Sequence, residues 1–240
     1  MADQTERSCP GRRRKARVPL NREAIVDAAL AIIDAEGLEG LSMRRLGTAL
    51  GVEAMALYHH FPGKGRLLDA VMERLLDEAV LPPRNAMPPL ERLRHFMESY
   101  RQIAVWHPNA FILLVYRRFN TERTFQVYEK ILEAFDDAGF DPPLAARFFR
   151  LVGYYVGGAG MADIASRARE PDATPVKLEQ FAGSKRYPRV AAVVPHLRLA
   201  NLDAIFGFGL DVIFEAMRKQ AAGRSGRRAE GARAQKRQKR

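Results

Sequence analysis

The sequence predicts an all-α protein in two parts, a small N-terminal domain of three helices and more, and a larger C-terminal one. Apolar residues recur at helical spacing through most intervals between prolines. No segment alternates with period two for long enough to require a strand, although 111–115 and 190–194 come nearest. Pro82-Pro83 and Pro88-Pro89 bracket a linker that marks the domain boundary.

Taken in order, Asn21 after Pro19 serves as an N-cap, and Ile25, Ala28, Ala29, Ile32 and Ile33 form one helical face ending at Gly37. Ser42 caps the next helix. Two short pieces, about 43–50 and 54–60, meet at Gly51. After Pro62-Gly63, the segment 66–80 is amphipathic through Leu67, Leu68, Val71, Leu75 and Leu76. Beyond the linker, helices are expected at about 90–105, 110–118, 121–138, 143–168 and 196–220. The interval 169–195 holds Pro171, Pro175, Pro188 and Pro195 and reads as a long loop with room for one short helix.

Charge is distributed unevenly. The 240 residues include 39 Lys+Arg and 28 Asp+Glu, a net charge of +11. Residues 1–18 carry six basic and two acidic groups, and residues 218–240 carry ten and one. The 199 residues between them therefore hold 23 basic and 25 acidic groups, so the basicity belongs to the ends. Those ends are expected to be a disordered arm over 1–18 and a disordered tail over 221–240, flanking domains at 19–81 and 82–220. The apolar stretches 103–115 and 151–162 are too short to cross a bilayer, and no apolar run follows the basic cluster at 12–17 as a secretory signal requires. Cys9 is the single cysteine, which excludes an intrachain disulfide and a cysteine-based zinc site. A cytoplasmic setting is expected, with no membrane, metal or cofactor.

The stretch 42–64, SMRRLGTALGVEAMALYHHFPGK, holds the parts of a helix-turn-helix. Gly47 is small where two helices would touch, and Gly51 suits a turn that needs positive φ. Leu46, Leu50, Val52 and Leu57 form an inward apolar set, whereas His60 stands where an apolar residue is usual, beside Phe61. By spacing alone an ordinary helical hairpin fits equally well. The flanks add Glu36-Gly37, Gly40-Leu41-Ser42-Met43-Arg44-Arg45-Leu46, Leu50-Gly51-Val52, Leu57-Tyr58-His59-His60-Phe61 and Lys64 with Leu67-Leu68-Asp69-Ala70. With these, residues 20–80 resemble the TetR family of bacterial transcriptional regulators. Trp106-His107-Pro108, Ala138-Gly139-Phe140, Leu151-Val152-Gly153-Tyr154 and Phe206-Gly207-Phe208-Gly209-Leu210-Asp211 are similar to the tetracycline-repressor branch.

The resemblance implies that the second helix of the motif enters the major groove, with Ala54, Met55 and Ala56 at its start. Met55 and Ala56 offer apolar contact suited to a thymine methyl. Arg44 can bond guanine O6 and N7 together or hold a phosphate, and Arg45 lies beside it. Tyr58, His59 and Lys64 match positions near the DNA backbone, and Ser42 can donate from a helix N-terminus. His60 reads as packed. Residues 19–80 carry six basic and ten acidic groups, a deficit that the arm offsets in count. That arm either follows the DNA or is a solubilising tail.

Nineteen of the 21 aromatic residues lie between Phe96 and Phe214, a pattern that first suggests core. The resemblance implies a ligand cavity among them, lined by Phe96, Tyr100, Leu114, Arg117 and Tyr154. Leu114 replaces the histidine that holds a drug-bound magnesium, and Ala162 replaces a carboxylate, so tetracycline–magnesium is not the expected effector. Gly153 and Gly157, one turn apart, would admit a close helix, and the last helix carries Phe206, Val212 and Ile213 on an apolar stripe. These imply a homodimer, with operator DNA and an unidentified small molecule as the other partners and repression as the expected output. Two rivals are a nucleic-acid-coating protein acting through its tails and a helical enzyme. Against the enzyme, 62–65 lacks P-loop spacing and the five histidines form no metal motif.

Overall fold

The computed structural model describes residues 20–117, 121–167, 178–196 and 202–238, with side chains at 178–179 and 223–238 excepted. The N-terminal arm therefore lies outside the described residues. No strand occurs among the described residues, and the two segments nearest to strand patterning are helical.

Helix α1 (Arg22–Gly40) starts where Asn21 accepts the Ala24 N–H at 2.8 Å, and it breaks at Gly37, whose φ is 76°. Ser42 caps α2 (Met43–Leu50) by accepting the Arg45 N–H at 3.1 Å. Gly51, in the left-handed region at φ 68°, ends that helix and turns the chain into α3 (Ala54–Tyr58). A Cβ on Gly47 would lie 2.8 Å from the Val52 carbonyl oxygen, so only glycine permits this crossing. Helix α3 stops two residues short of the expected 60. Phe61 then drops into the core, fully buried, while His60 stays half-exposed. Arg22 packs over the Phe61 ring at 4.1 Å and donates to the His60 carbonyl. The apolar anchor has moved by one residue.

Helix α4 (Lys64–Leu76) completes this domain, burying Leu67, Val71 and Leu75 against α1, and its end adjoins the second domain. There α5 (Pro89–Trp106) packs chiefly on α8 (Pro142–Arg167), with α6 (Ile112–Tyr116) and α7 (Glu122–Asp137) closing one side. A reciprocal cap between Thr121 and Thr124 starts α7. Within the expected loop lies α9 (Pro188–Val193), flanked by single 3₁₀ turns. Helix α10 (Leu202–Gln238) runs antiparallel to α5, with Asp203 beside Arg101 and Asp211 beside Arg94. It continues to Gln238, so the tail expected to be disordered is helical there. Alanine, arginine, lysine and glutamine dominate 221–238, and these residues favour helix.

Several contacts join the two domains. The His107 imidazole spans Asp34 of α1, 2.7 Å from Nδ1, and Glu78 beyond α4, 3.2 Å from Nε2. Asn109 donates to the Asp34 carbonyl at 2.9 Å, and Arg123 pairs with Asp77 at 2.6 Å.

Because Phe61 is fully enclosed and His60 is not, Phe61→Ala should lower unfolding stability by about 3–5 kcal/mol. His60→Ala should change it by no more than about 0.5–1 kcal/mol, both read as shifts in urea midpoint.

Candidate DNA-binding surface and ligand cavity

The nine residues expected at DNA divide into two sets. Arg44, Met55, Tyr58 and His59 are exposed on one side of α2 and α3, and Met55 is 70% exposed. An apolar side chain so uncovered has no folding role and is available for contact. Ala54 and Ala56 are half-buried beside it. Ser42 is exposed, but its hydroxyl oxygen already caps α2.

The remaining two cations are engaged inside the domain. Arg45 makes a two-armed ion pair with Glu36, at 3.1 Å from Nε and 2.5 Å from Nη2, which raises its pKa further above its ordinary value. Lys64 is half-buried and donates to the Leu38 carbonyl at 3.1 Å, fixing the start of α4 to the end of α1 beyond its break at Gly37. The resemblance sets both at DNA, and the partners that engage them here are remote in sequence. Glu53, exposed at the cap position of α3 with no capping bond, was not anticipated. Its carboxylate can accept from a cytosine amine.

The C-terminal domain encloses a cavity of about 650 Å³ between α5, α6, α7 and α8, with Leu76 of α4 in its wall. Phe96, Tyr100, Leu114, Arg117 and Tyr154 all line it, and Tyr128, Phe149 and Arg150 join them. Edge-to-face ring contacts build the walls, Tyr128 on Phe149 at 5.0 Å and Tyr100 on Phe111 at 5.8 Å. Such a wall is rigid and apolar. Burial pushes the Tyr100 phenol well above its ordinary value, and the Tyr128 phenol up to about 12, the latter partly offset by Arg150. Tyr100 donates to the Leu114 carbonyl at 3.4 Å.

Arg117 lines the cavity, but its charged end is held elsewhere. Its guanidinium pairs with Asp69 of α4 and donates to the Gly65 carbonyl at 3.0 Å. The cavity wall is thereby joined to the DNA-binding domain. Asp163, adjacent to the position where a carboxylate was expected, is buried and faces Arg101, with Nη2 at 2.6 Å and Nε at 2.7 Å. It does not line the cavity. Among the described residues no cluster of three His, Cys, Asp or Glu is placed to hold a metal.

The expected interface residues separate in the same way. Gly153 and Gly157 line the cavity, and within the protomer only Val115 of α6 comes near, 4.0 Å from where a Cβ on Gly157 would lie. Close approach occurs at Gly160, where a Cβ would lie 2.5 Å from the Phe111 ring. Phe206 is buried within the chain, stacked on Tyr155 at 5.5 Å under the Arg101 guanidinium, and Ile213 also turns inward. Val212 stays on the surface with Ile205 and Phe208 of α10 and with Leu151 and Tyr154 of α8. A stripe that looked continuous is two faces of one helix.

A helix-turn-helix with exposed side chains on its second helix, joined to a helical domain built around a half-open cavity, defines a one-component ligand-responsive DNA-binding regulator. The comparisons agree. The family model described as bacterial regulatory proteins, tetR family, matches residues 25–71, and that for the tetracyclin repressor-like C-terminal domain matches 86–221. The chain belongs to the TetR family and is a DNA-binding transcriptional regulator, not an enzyme. It is 33% identical to the HTH-type transcriptional repressor DrrR1 of Streptomyces coeruleorubidus, over 90% of this chain and 85% of that protein. It is 31% identical to a class G tetracycline repressor protein from Vibrio anguillarum, over 83% and 95% of the two chains. Among solved structures, ActR of Streptomyces coelicolor in complex with actinorhodin superposes with a TM-score of 0.72 at 25% identity, covering 85% of this chain and 99% of that one. No helix among the described residues is long and apolar enough to cross a membrane.

Two predictions follow from the buried groups. Asp163→Ala leaves the buried Arg101 with only the exposed Asp203, at 2.8 Å, as an ionic partner and should cost up to about 3–5 kcal/mol in denaturant unfolding. The double variant Arg101→Met with Asp163→Leu should recover most of that loss. Tyr128 holds its proton more tightly when folded, so its contribution to stability is complete below its ordinary value of 10 and is lost as pH rises to about 12. An ultraviolet titration should show a tyrosine class ionising only near that upper value.

Proposed function

We propose that the protein is a homodimeric repressor that binds a near-palindromic operator and leaves it when a small molecule fills the cavity. The observation that carries this reading is Arg117, which lines the cavity and is bonded to Asp69 and Gly65 on α4. Helix α4 follows the recognition helix, and Lys64 at its first turn is tied to Leu38 at the end of α1. A ligand that displaces Arg117 therefore acts on the position of α3. Ligand binds the released form more tightly than the DNA-bound form, and the population shifts.

The exposed apolar face of α8 and α10, with Leu151, Tyr154, Ile205, Phe208 and Val212, supports pairing with a second copy as a four-helix bundle. Pairing sets two recognition helices at the spacing of successive major grooves, about 34–36 Å. A five-residue helix makes few contacts, and a dimer doubles them. ActR, which shares this architecture, is seen with actinorhodin bound, and that likeness supports a small-molecule effector here.

At the DNA, Arg44, Met55, Tyr58 and His59 carry the contacts, with Glu53 at the edge of α3. Arg45 and Lys64 position the motif. The test begins with selection of bound fragments from a random DNA pool, followed by titration of the selected site. Arg44→Ala should weaken operator binding by about 1–3 kcal/mol and relax discrimination at one base position, whereas Arg45→Gln should not relax it. Uniform binding to all fragments, unchanged in Arg44→Ala, would support the nucleic-acid-coating alternative.

A further inference from the structure

The cavity wall has a charge pattern that bears on what can enter. Among the described residues none of its lining side chains is Asp or Glu, and its charged groups are Arg117 and Arg150. Arg117 is neutralised by Asp69. Arg150 makes no ion pair among the described residues; its guanidinium lies 5.8 Å from the Tyr154 ring, at the exposed rim of the cavity on α8. The walls behind it are ring faces and edges from Phe96, Tyr100, Tyr128 and Phe149.

We infer that the effector is a flat aromatic acid, its rings held in the apolar walls and its anion meeting Arg150 at the mouth. This rests on reading the cavity as the effector site and names the chemistry that site selects. A cationic amine would lose hydration on entry and find two arginines and no carboxylate, which is costly. A carboxylate or sulfonate finds a planar fork of donors in Arg150, a group that suits such anions. Tyr128, a neutral phenol at neutral pH, lies close enough to feel the Arg150 charge and lines the same region. The ring system supplies most of the affinity through burial, and Arg150 supplies the discrimination between acid and neutral analogue.

The test uses two fluorescent probes of the same ring system, 8-anilinonaphthalene-1-sulfonate and uncharged N-phenyl-1-naphthylamine, titrated into the full chain without DNA. Arg150→Gln should weaken the sulfonate by about tenfold, the scale of one charge-assisted contact, and leave the neutral probe within about twofold. Arg150→Lys should restore part of the sulfonate affinity, because the charge returns without the fork. Equal weakening of both probes, an unchanged sulfonate affinity in Arg150→Gln, or no sulfonate binding at all would overturn the inference. Since no DNA is present, each of these outcomes leaves the regulator reading to be judged by operator binding alone.

Discussion

Arg117 and Asp69 form the contact on which the two halves of this protein depend. The arginine belongs to the cavity wall and the aspartate to α4, so one ion pair spans the border between sensing and reading. Helix α4 serves both domains. Leu67, Val71 and Leu75 sit in the core against α1, while Leu76 reaches the cavity. A helix packed into two cores cannot shift in one without straining the other, since close-packed interiors have few intermediate arrangements. His107, between Asp34 and Glu78, adds a second polar tie at the same border.

The electrostatics of the body follow from where cations are already engaged. Arg45, Lys64, Arg101 and Arg117 all have partners inside the chain. Around the helix-turn-helix, Arg44 is exposed and makes no ion pair among the described residues, whereas Arg45 and Lys64 are engaged with Glu36 and Leu38. The same accounting in the cavity leaves Arg150 without an ion-pair partner among the described residues.

The apolar surface is organised just as sparingly. Helix α10 has apolar residues on two sides, and Phe206, Leu210, Phe214 and Met217 turn inward while Ile205, Phe208 and Val212 remain outside. A helix apolar on both sides is what a protomer needs when one face builds its own core and the other meets a second copy. Gly209 lets Tyr155 lie against the helix, and that ring supports Phe206 and the Arg101 cluster. The glycines of α8 differ in role, since Gly160 admits Phe111, Gly157 lies against Val115 and Gly153 leaves open space.

Local chemistry made much of this legible from residues alone. Asn21 and Ser42 as caps, Gly51 as a left-handed turn and Gly47 as the crossing point each involve neighbours within a few positions, so spacing sufficed. The cavity-lining set Phe96, Tyr100, Leu114, Arg117 and Tyr154 came through family resemblance, and Tyr128, Phe149 and Arg150 did not, because no local signal separates a wall aromatic from a core aromatic. Long-range pairing decided the rest. Arg45 turns to Glu36, Lys64 to Leu38, Arg117 to Asp69 and Asp163 to Arg101, across separations that helix periodicity does not encode. The sequence by itself determined an all-α regulator with a helix-turn-helix. Only the tertiary structure decided which charges are spent on the fold and which remain for a ligand, because an ion pair depends on where two helices meet.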